Sequence, residues 1–202
     1  MPIFPELKRA EQAWLVAALL VGLLVRAPGI FWGANFPGGW AFHHIDEYTH
    51  WVKAEHLIDP SSELRWYQAY PLGTAAHAAL PLIAWRAVTG ELSDPAPGMA
   101  PIVVTGRVIS ALYGTATILL VFLLGRRLFR DRRVALLGVW IMALGGLHVT
   151  QSHFFLADAP ALFWLLLGIW LLLVEFEAGR GPRSLPLLGA AFALGMAFGI
   201  KL

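Results

Sequence analysis

The chain has no cysteine. That excludes a disulfide framework, a thiolate metal centre and a cysteine nucleophile. It leaves the compartment open, because a membrane protein facing an oxidising space needs no disulfide. Charge is scarce as well. Asp, Glu, Lys and Arg make up 14% of the 202 residues, against roughly 25% in soluble domains. The formal net charge is only +2, which is too small for a polyanionic partner and argues against nucleic-acid binding. The HExxH pair of zinc peptidases is missing, and no internal repeat or low-complexity tract appears. What the chain has instead is apolar mass: 58% hydrophobic residues, nine Trp, twelve Phe and a mean hydropathy of +0.65. These values exclude a disordered chain and a compact soluble enzyme, and they point to a bilayer as the solvent.

A spanning helix needs about 20 mostly apolar residues. Five segments qualify or come close: 13–30, 102–125, 134–147, 156–174 and 185–202. The first follows Lys8 and Arg9 and resembles a signal-peptide core. It has no small-residue cleavage site, so it reads as a retained first helix. A sixth stretch, 71–88, carries Gly73, His77, Pro81 and Arg86. It could span, or it could lie along the interface as a broken amphipathic helix.

Charge placement decides between these readings. Lys and Arg collect in cytoplasmic loops. The basic turns are Lys8–Arg9, the cluster Arg126, Arg127, Arg130, Arg132 and Arg133, and the pair Arg180 and Arg183. All three belong inside, so an even number of crossings separates the N-terminus from Arg126. Segments one and two supply two, and a span at 71–88 would move the arginine cluster outside. The predicted fold class is therefore an all-α polytopic membrane protein. It has about five transmembrane helices, a cytoplasmic N-terminus and a large first extracytoplasmic loop, 31–100, with juxtamembrane helices. The whole of 1–202 reads as one transmembrane domain. The chain stops at Lys201-Leu202 inside an apolar segment, so a C-terminal part is expected to be missing. This topology puts all seven histidines and most acids on the outer side, while nine of the fifteen Lys and Arg stay inside.

Two acidic stations on that outer side could carry chemistry. The first is His43-His44-Ile45-Asp46-Glu47-Tyr48-Thr49-His50. Helical spacing follows it, which sets Asp46 near a helix start where N–H groups and the dipole favour an anion. The bland alternative is an N-cap aspartate with a solvated glutamate beside it. The second is the outer hairpin His148 to Pro160, in which Asp158 begins an apolar helix two residues before Pro160. A carboxylate at the lip of a membrane helix is costly unless hydrated, paired or used. Arg107, Lys201 and Arg86 sit where a cation would meet a lipid phosphate, or would snorkel to the interface. Candidate substrate contacts are Arg107, His44, His153, Tyr70 and Lys201.

His43, Asp46, Glu47 and His50 have the i, i+3, i+4, i+7 spacing of one helix face. With Asp46, His43 and His50 as ligands, a divalent cation such as Mg, Mn or Zn is the possible cofactor. Two other function classes compete with an enzyme. One is a transporter whose acids bind a cation, although that predicts charges buried in mid-span and the clear spans have none. The other is a non-catalytic membrane subunit whose acidic, His-rich outer loop binds a partner.

The order of motifs resembles a known group. An Asp46-Glu47 pair follows a single N-terminal span, and Tyr67-Gln68-Ala69-Tyr70-Pro71 comes after it. Gly106-Arg107-Val108-Ile109-Ser110-Ala111-Leu112-Tyr113-Gly114 opens the second span, and a basic turn spans 125–129. The outer Asp158-Ala159-Pro160 and then Gly195 to Lys201 complete the series. Nearly the whole chain resembles the N-terminal half of GT-C membrane glycosyltransferases, close to the glycosyltransferase family 39 group of protein O-mannosyltransferases and lipid A aminoarabinose transferases. The resemblance implies a hexosyl- or pentosyltransferase in a bacterial or archaeal plasma membrane. It would take a sugar from a polyprenyl-phosphate donor on the extracytoplasmic face and pass it, with inversion, to a protein, lipid or glycan acceptor. It implies catalytic roles for Asp46, its neighbour Glu47, and Asp158, with Arg107 and Lys201 matching basic positions more loosely. Relatives often set an Arg beside the second acid, whereas Phe155-Leu156-Ala157 precedes it here. The chemistry fits on its own terms. A carboxylate can take the proton of a hydroxyl nucleophile, and a lipid phosphate leaves as a stable anion that needs a cation rather than a strong acid.

Overall fold

A computed structural model describes residues 8–33, 44–62, 71–92, 94–129, 131–179 and 184–201. Two candidate site residues, His43 and Tyr70, lie outside the described residues. All regular structure among the described residues is helical. The elements are α1 (Arg9–Arg26), a 3-10 turn (Ala27–Gly29), α2 (Ile45–Ile58), α3 (Gly73–Thr89), α4 (Met99–Leu128), α5 (Arg132–Leu144), α6 (Gly146–Gln151), α7 (Asp158–Ala178) and α8 (Leu185–Lys201).

The helices start and stop where local chemistry dictates. The Lys8 N–H donates to Glu11 Oε2 at 3.0 Å, which ties the first turn of α1. Asp131 caps α5 by accepting the Arg133 N–H at 2.8 Å. Gly90 and Gly179 end α3 and α7 in the left-handed conformation, at φ 81° and 59°. Pro81 does not break α3, which runs through it as one helix.

Among the described residues three helical units, Arg9–Gly29, α4 and α7, are long and apolar enough to cross a bilayer, and α8 is a shorter apolar helix. The protein is an integral membrane protein. The predicted third span, 134–147, is divided. Its helix stops at Leu144, and Gly145 is extended at ψ 112° before α6 begins. Two consecutive glycines favour such a break. The Arg26 side chain from α1 takes over the carbonyls that the break frees. It donates to Ala143 O at 3.1 Å and Met142 O at 3.2 Å.

The apolar core of the bundle joins α1, α4, α5 and α7 through Ala18, Ile118, Phe122, Val139 and Trp170. One end of this bundle is basic. Glu11 of α1 pairs with Arg132 at 3.2 Å and approaches Arg126 at 4.0 Å, and Arg127 pairs with Glu177 of α7. The other end gathers α2, α3, the first turns of α4 and the hairpin residue Phe155 into a second core with Trp51, Val52, Ala75, Ala78, Ile102 and Val103. At 1.5 Å per residue the 30-residue α4 is about 45 Å long, well beyond a hydrocarbon core of about 30 Å. α3 packs along its first half, from the His77–Tyr113 ring contact to the Arg86–Pro95 hydrogen bond.

Candidate functional site

The end opposite the arginine cluster holds the predicted acidic stations. α2 begins one residue after His44, whose ring nitrogen Nδ1 accepts the Asp46 N–H at 3.3 Å. Asp46 and Glu47 then share the first turn, but they face different ways. The Asp46 side chain is 31% exposed, with its carboxylate 3.6 Å from His44 Nδ1. Glu47 is fully buried. Its two oxygens take Arg107 Nε and Nη2, both at 2.7 Å, and Oε1 also accepts the Phe155 N–H at 2.9 Å. The same guanidinium donates through Nη1 to Trp32 O at 2.6 Å. Arg107 is fully buried too. The pair therefore sews α2, α4, the hairpin before α7 and the turn after α1 into one block, and Arg107 faces the protein rather than a ligand.

Two glycines of α4 let the hairpin approach that block. A Cβ on Gly106 would lie 2.3 Å from the Phe155 ring, and one on Gly114 would lie 2.2 Å from Ser152 Oγ. His153 is used in the same way. Its Nε2 donates to Val25 O at 2.8 Å, and its side chain packs against Gly29, where a Cβ would meet it at 2.7 Å. The His44 ring packs on Phe154, centroids 5.7 Å apart. His44 thus stays beside Asp46, whereas His153 is a latch between the hairpin and the end of α1.

Asp158 opens α7 and pairs with Lys201 at the end of α8. Both side chains keep solvent contact, at 40% and 52% exposure. They sit in the wall of a cavity of about 650 Å³. Its polarity is graded. On α7 the lining runs from Asp158 to Leu162 and Leu165, and on α8 from Lys201 back to Phe198, so the charges are at the end of the bundle and the apolar wall lies deeper.

His50 links the two stations. It is 1% exposed, with its ring against Phe155 at 5.5 Å. Burial pushes its pKa down to about 4, while the charges of both Asp46 and Asp158 pull it upward. Among the described residues no three His, Asp or Glu side chains come together as metal ligands. Of the predicted set, Asp46 and His50 are described and His43 is not.

The sequence reading missed Arg26, a buried residue at the end of α1. Besides the carbonyls of α5 it reaches His148 Nδ1 at 2.7 Å. A lone arginine in the last turn of an apolar helix, just before Pro28, was the available signal.

A family model for dolichyl-phosphate-mannose-protein mannosyltransferase matches residues 93–202, more than half of the chain. The match includes Arg107, Asp158 and Lys201 and begins after Asp46 and Glu47. No curated protein and no solved structure matches the chain. An all-helical membrane bundle with an ion pair at the mouth of an apolar cavity is consistent with that match, and the chain belongs to the dolichyl-phosphate-mannose-protein mannosyltransferase family, a family of membrane glycosyltransferases.

Proposed function

We propose that this chain carries the catalytic residues of a glycosyltransferase using a polyprenyl-phosphate sugar, at the bundle end away from the arginine cluster. The observation that carries the reading is the graded cavity, with the Asp158–Lys201 pair at its lip and leucine and phenylalanine below. A lipid-linked sugar has the same gradient: a charged phosphate and polar sugar at the interface, and an isoprenoid chain in the bilayer. Arg126, Arg127 and Arg132 at the opposite end suit a cytoplasmic face, which supports an extracytoplasmic reaction.

In this reading the acceptor hydroxyl oxygen attacks the anomeric carbon of the sugar. The bond from that carbon to the phosphate oxygen breaks with inversion, and polyprenyl phosphate leaves. Asp46 takes the hydroxyl proton, because it is the carboxylate of its turn that stays accessible while Glu47 is locked to Arg107. Lys201 offers the ammonium that steadies the leaving phosphate, and Asp158 holds that ammonium at the lip. Glu47 is a positioning residue that aims the first turn of α2.

The test is Asp46→Asn in the full-length protein, assayed for mannose transfer from dolichyl-phosphate mannose. Transfer should fall by about 10²–10⁴-fold, with thermal unfolding unchanged. Near-normal transfer by a folded Asp46→Asn protein would remove Asp46 from the chemistry.

A further inference from the structure

His148 and Gln151 stand three residues apart on α6, so they share a helix face, and both line the cavity that holds Asp158 and Lys201. Both fall in the hairpin that the sequence offered as its second station, although neither was named there as a ligand contact. Arg26 sets the state of the histidine. A guanidinium only donates, so the 2.7 Å contact from Arg26 Nη2 requires His148 Nδ1 to accept. The ring proton must then sit on Nε2. Burial and the charge of Arg26 both oppose a second proton, pushing the pKa of His148 down to about 4. At neutral pH His148 is thus a fixed, uncharged N–H donor.

That donor is buried and has no hydrogen-bond partner among the described residues. Gln151 Oε1, an acceptor, is in the same condition. An unmatched buried donor or acceptor costs about 1–3 kcal/mol. Here one of each belongs to a residue that lines the cavity, and the two residues are a turn apart on one helix. The chemical group that answers both is a hydroxyl, which accepts one hydrogen bond and donates another. A phosphate oxygen would answer only the donor, and an isoprenoid chain would answer neither.

We propose that His148 and Gln151 form a sugar-hydroxyl subsite, with Nε2–H donating to a hydroxyl oxygen of the donor's sugar and Gln151 Oε1 accepting that hydroxyl's proton. Arg26 is the positioning residue that holds the imidazole in the donating tautomer. The assignment rests on reading the cavity as the site for the lipid-linked donor. It goes beyond that reading by naming the side chains that tell a glycosylated lipid from a bare lipid phosphate.

The experiment compares binding of dolichyl-phosphate mannose and dolichyl phosphate to the full-length protein in detergent. Gln151→Leu and His148→Phe should each weaken the mannosylated lipid about tenfold and leave dolichyl phosphate within twofold. Against the wild type, one member of a monodeoxymannose donor series should show the same loss, and that analogue should lose nothing further in either variant. The Gln151 substitution leaves the Arg26–His148 contact in place, so it decides the matter if the His148 variant does not fold. Equal weakening of both lipids, unchanged binding of the mannosylated lipid by Gln151→Leu, or a flat response across the deoxy series would overturn the subsite. A wild-type protein that binds neither lipid would instead overturn the donor reading itself.

Discussion

Two ion pairs stand at the same end of the bundle, and their settings differ in almost every respect. Glu47–Arg107 is fully buried, bidentate and wrapped by further hydrogen bonds to Phe155 N–H and Trp32 O. Asp158–Lys201 is a single contact between side chains that remain about half exposed, at the lip of an open cavity. The lesson is that an acid and a base near an active site are not interchangeable evidence of chemistry. A charge whose bonding capacity is filled by the protein builds the site. One with capacity left over can meet a ligand.

Substitutions that break one pair and spare the other sharpen the contrast. The largest effect should come from Glu47→Ala or Arg107→Ala, which leaves the surviving partner charged and buried. Each should destabilise by about 3–5 kcal/mol, seen as loss of folded protein in detergent. The double replacement should lose less than the sum of the two singles, as a double-mutant cycle would show.

His50 sits between the two pairs, and its effect is intermediate. Its folded pKa is about 4, below the 6.5 of a free histidine. As pH falls below 6.5 the unfolded chain takes up the proton first, so stability is full above that pH and declines down to about 4. The loss should be on the order of 3 kcal/mol. Thermal unfolding between pH 7 and pH 4 should follow this course, and His50→Gln should flatten part of it. The smallest effect on stability belongs to Asp158→Ala and Lys201→Ala, each within about 1 kcal/mol because the pair is screened. Both should nonetheless reduce transfer from dolichyl-phosphate mannose by at least about tenfold. A Lys201→Ala protein that unfolds like the Glu47 variant would erase the distinction.

Much of the architecture was legible in the chain because hydrophobic length and arginine placement are one-dimensional signals. The apolar runs became α1, α4, α5, α7 and α8, and Arg126, Arg127 and Arg132 gathered at one end with Glu11 and Glu177. The break at Gly145 was not legible, because two glycines within an apolar run also suit close helix packing. What settles it is Arg26, whose partners lie more than a hundred residues away. At the site, spacing brought Asp46 and Glu47 to one helix turn but could not say which way each faces. Neighbours a single residue apart point about 100° from one another on a helix, so one meets Arg107 and the other the solvent. His153 and Arg107 looked like ligand contacts because their protein partners, the Val25 carbonyl for one and the Glu47 carboxylate with the Trp32 carbonyl for the other, lie far away in sequence.

The clamp made by Arg26 also has a temporal side. Ala143, whose carbonyl it caps, is 117 residues further along the chain. At a synthesis rate of about 5–20 residues per second, the cation waits on the order of ten seconds for that carbonyl to be made. Throughout that interval the first helix carries a charge with only its own Gly22 carbonyl, headgroups and water to bind it. The newborn protein must keep Arg26 at the bilayer rim until α5 arrives, so the order of insertion is built into one side chain.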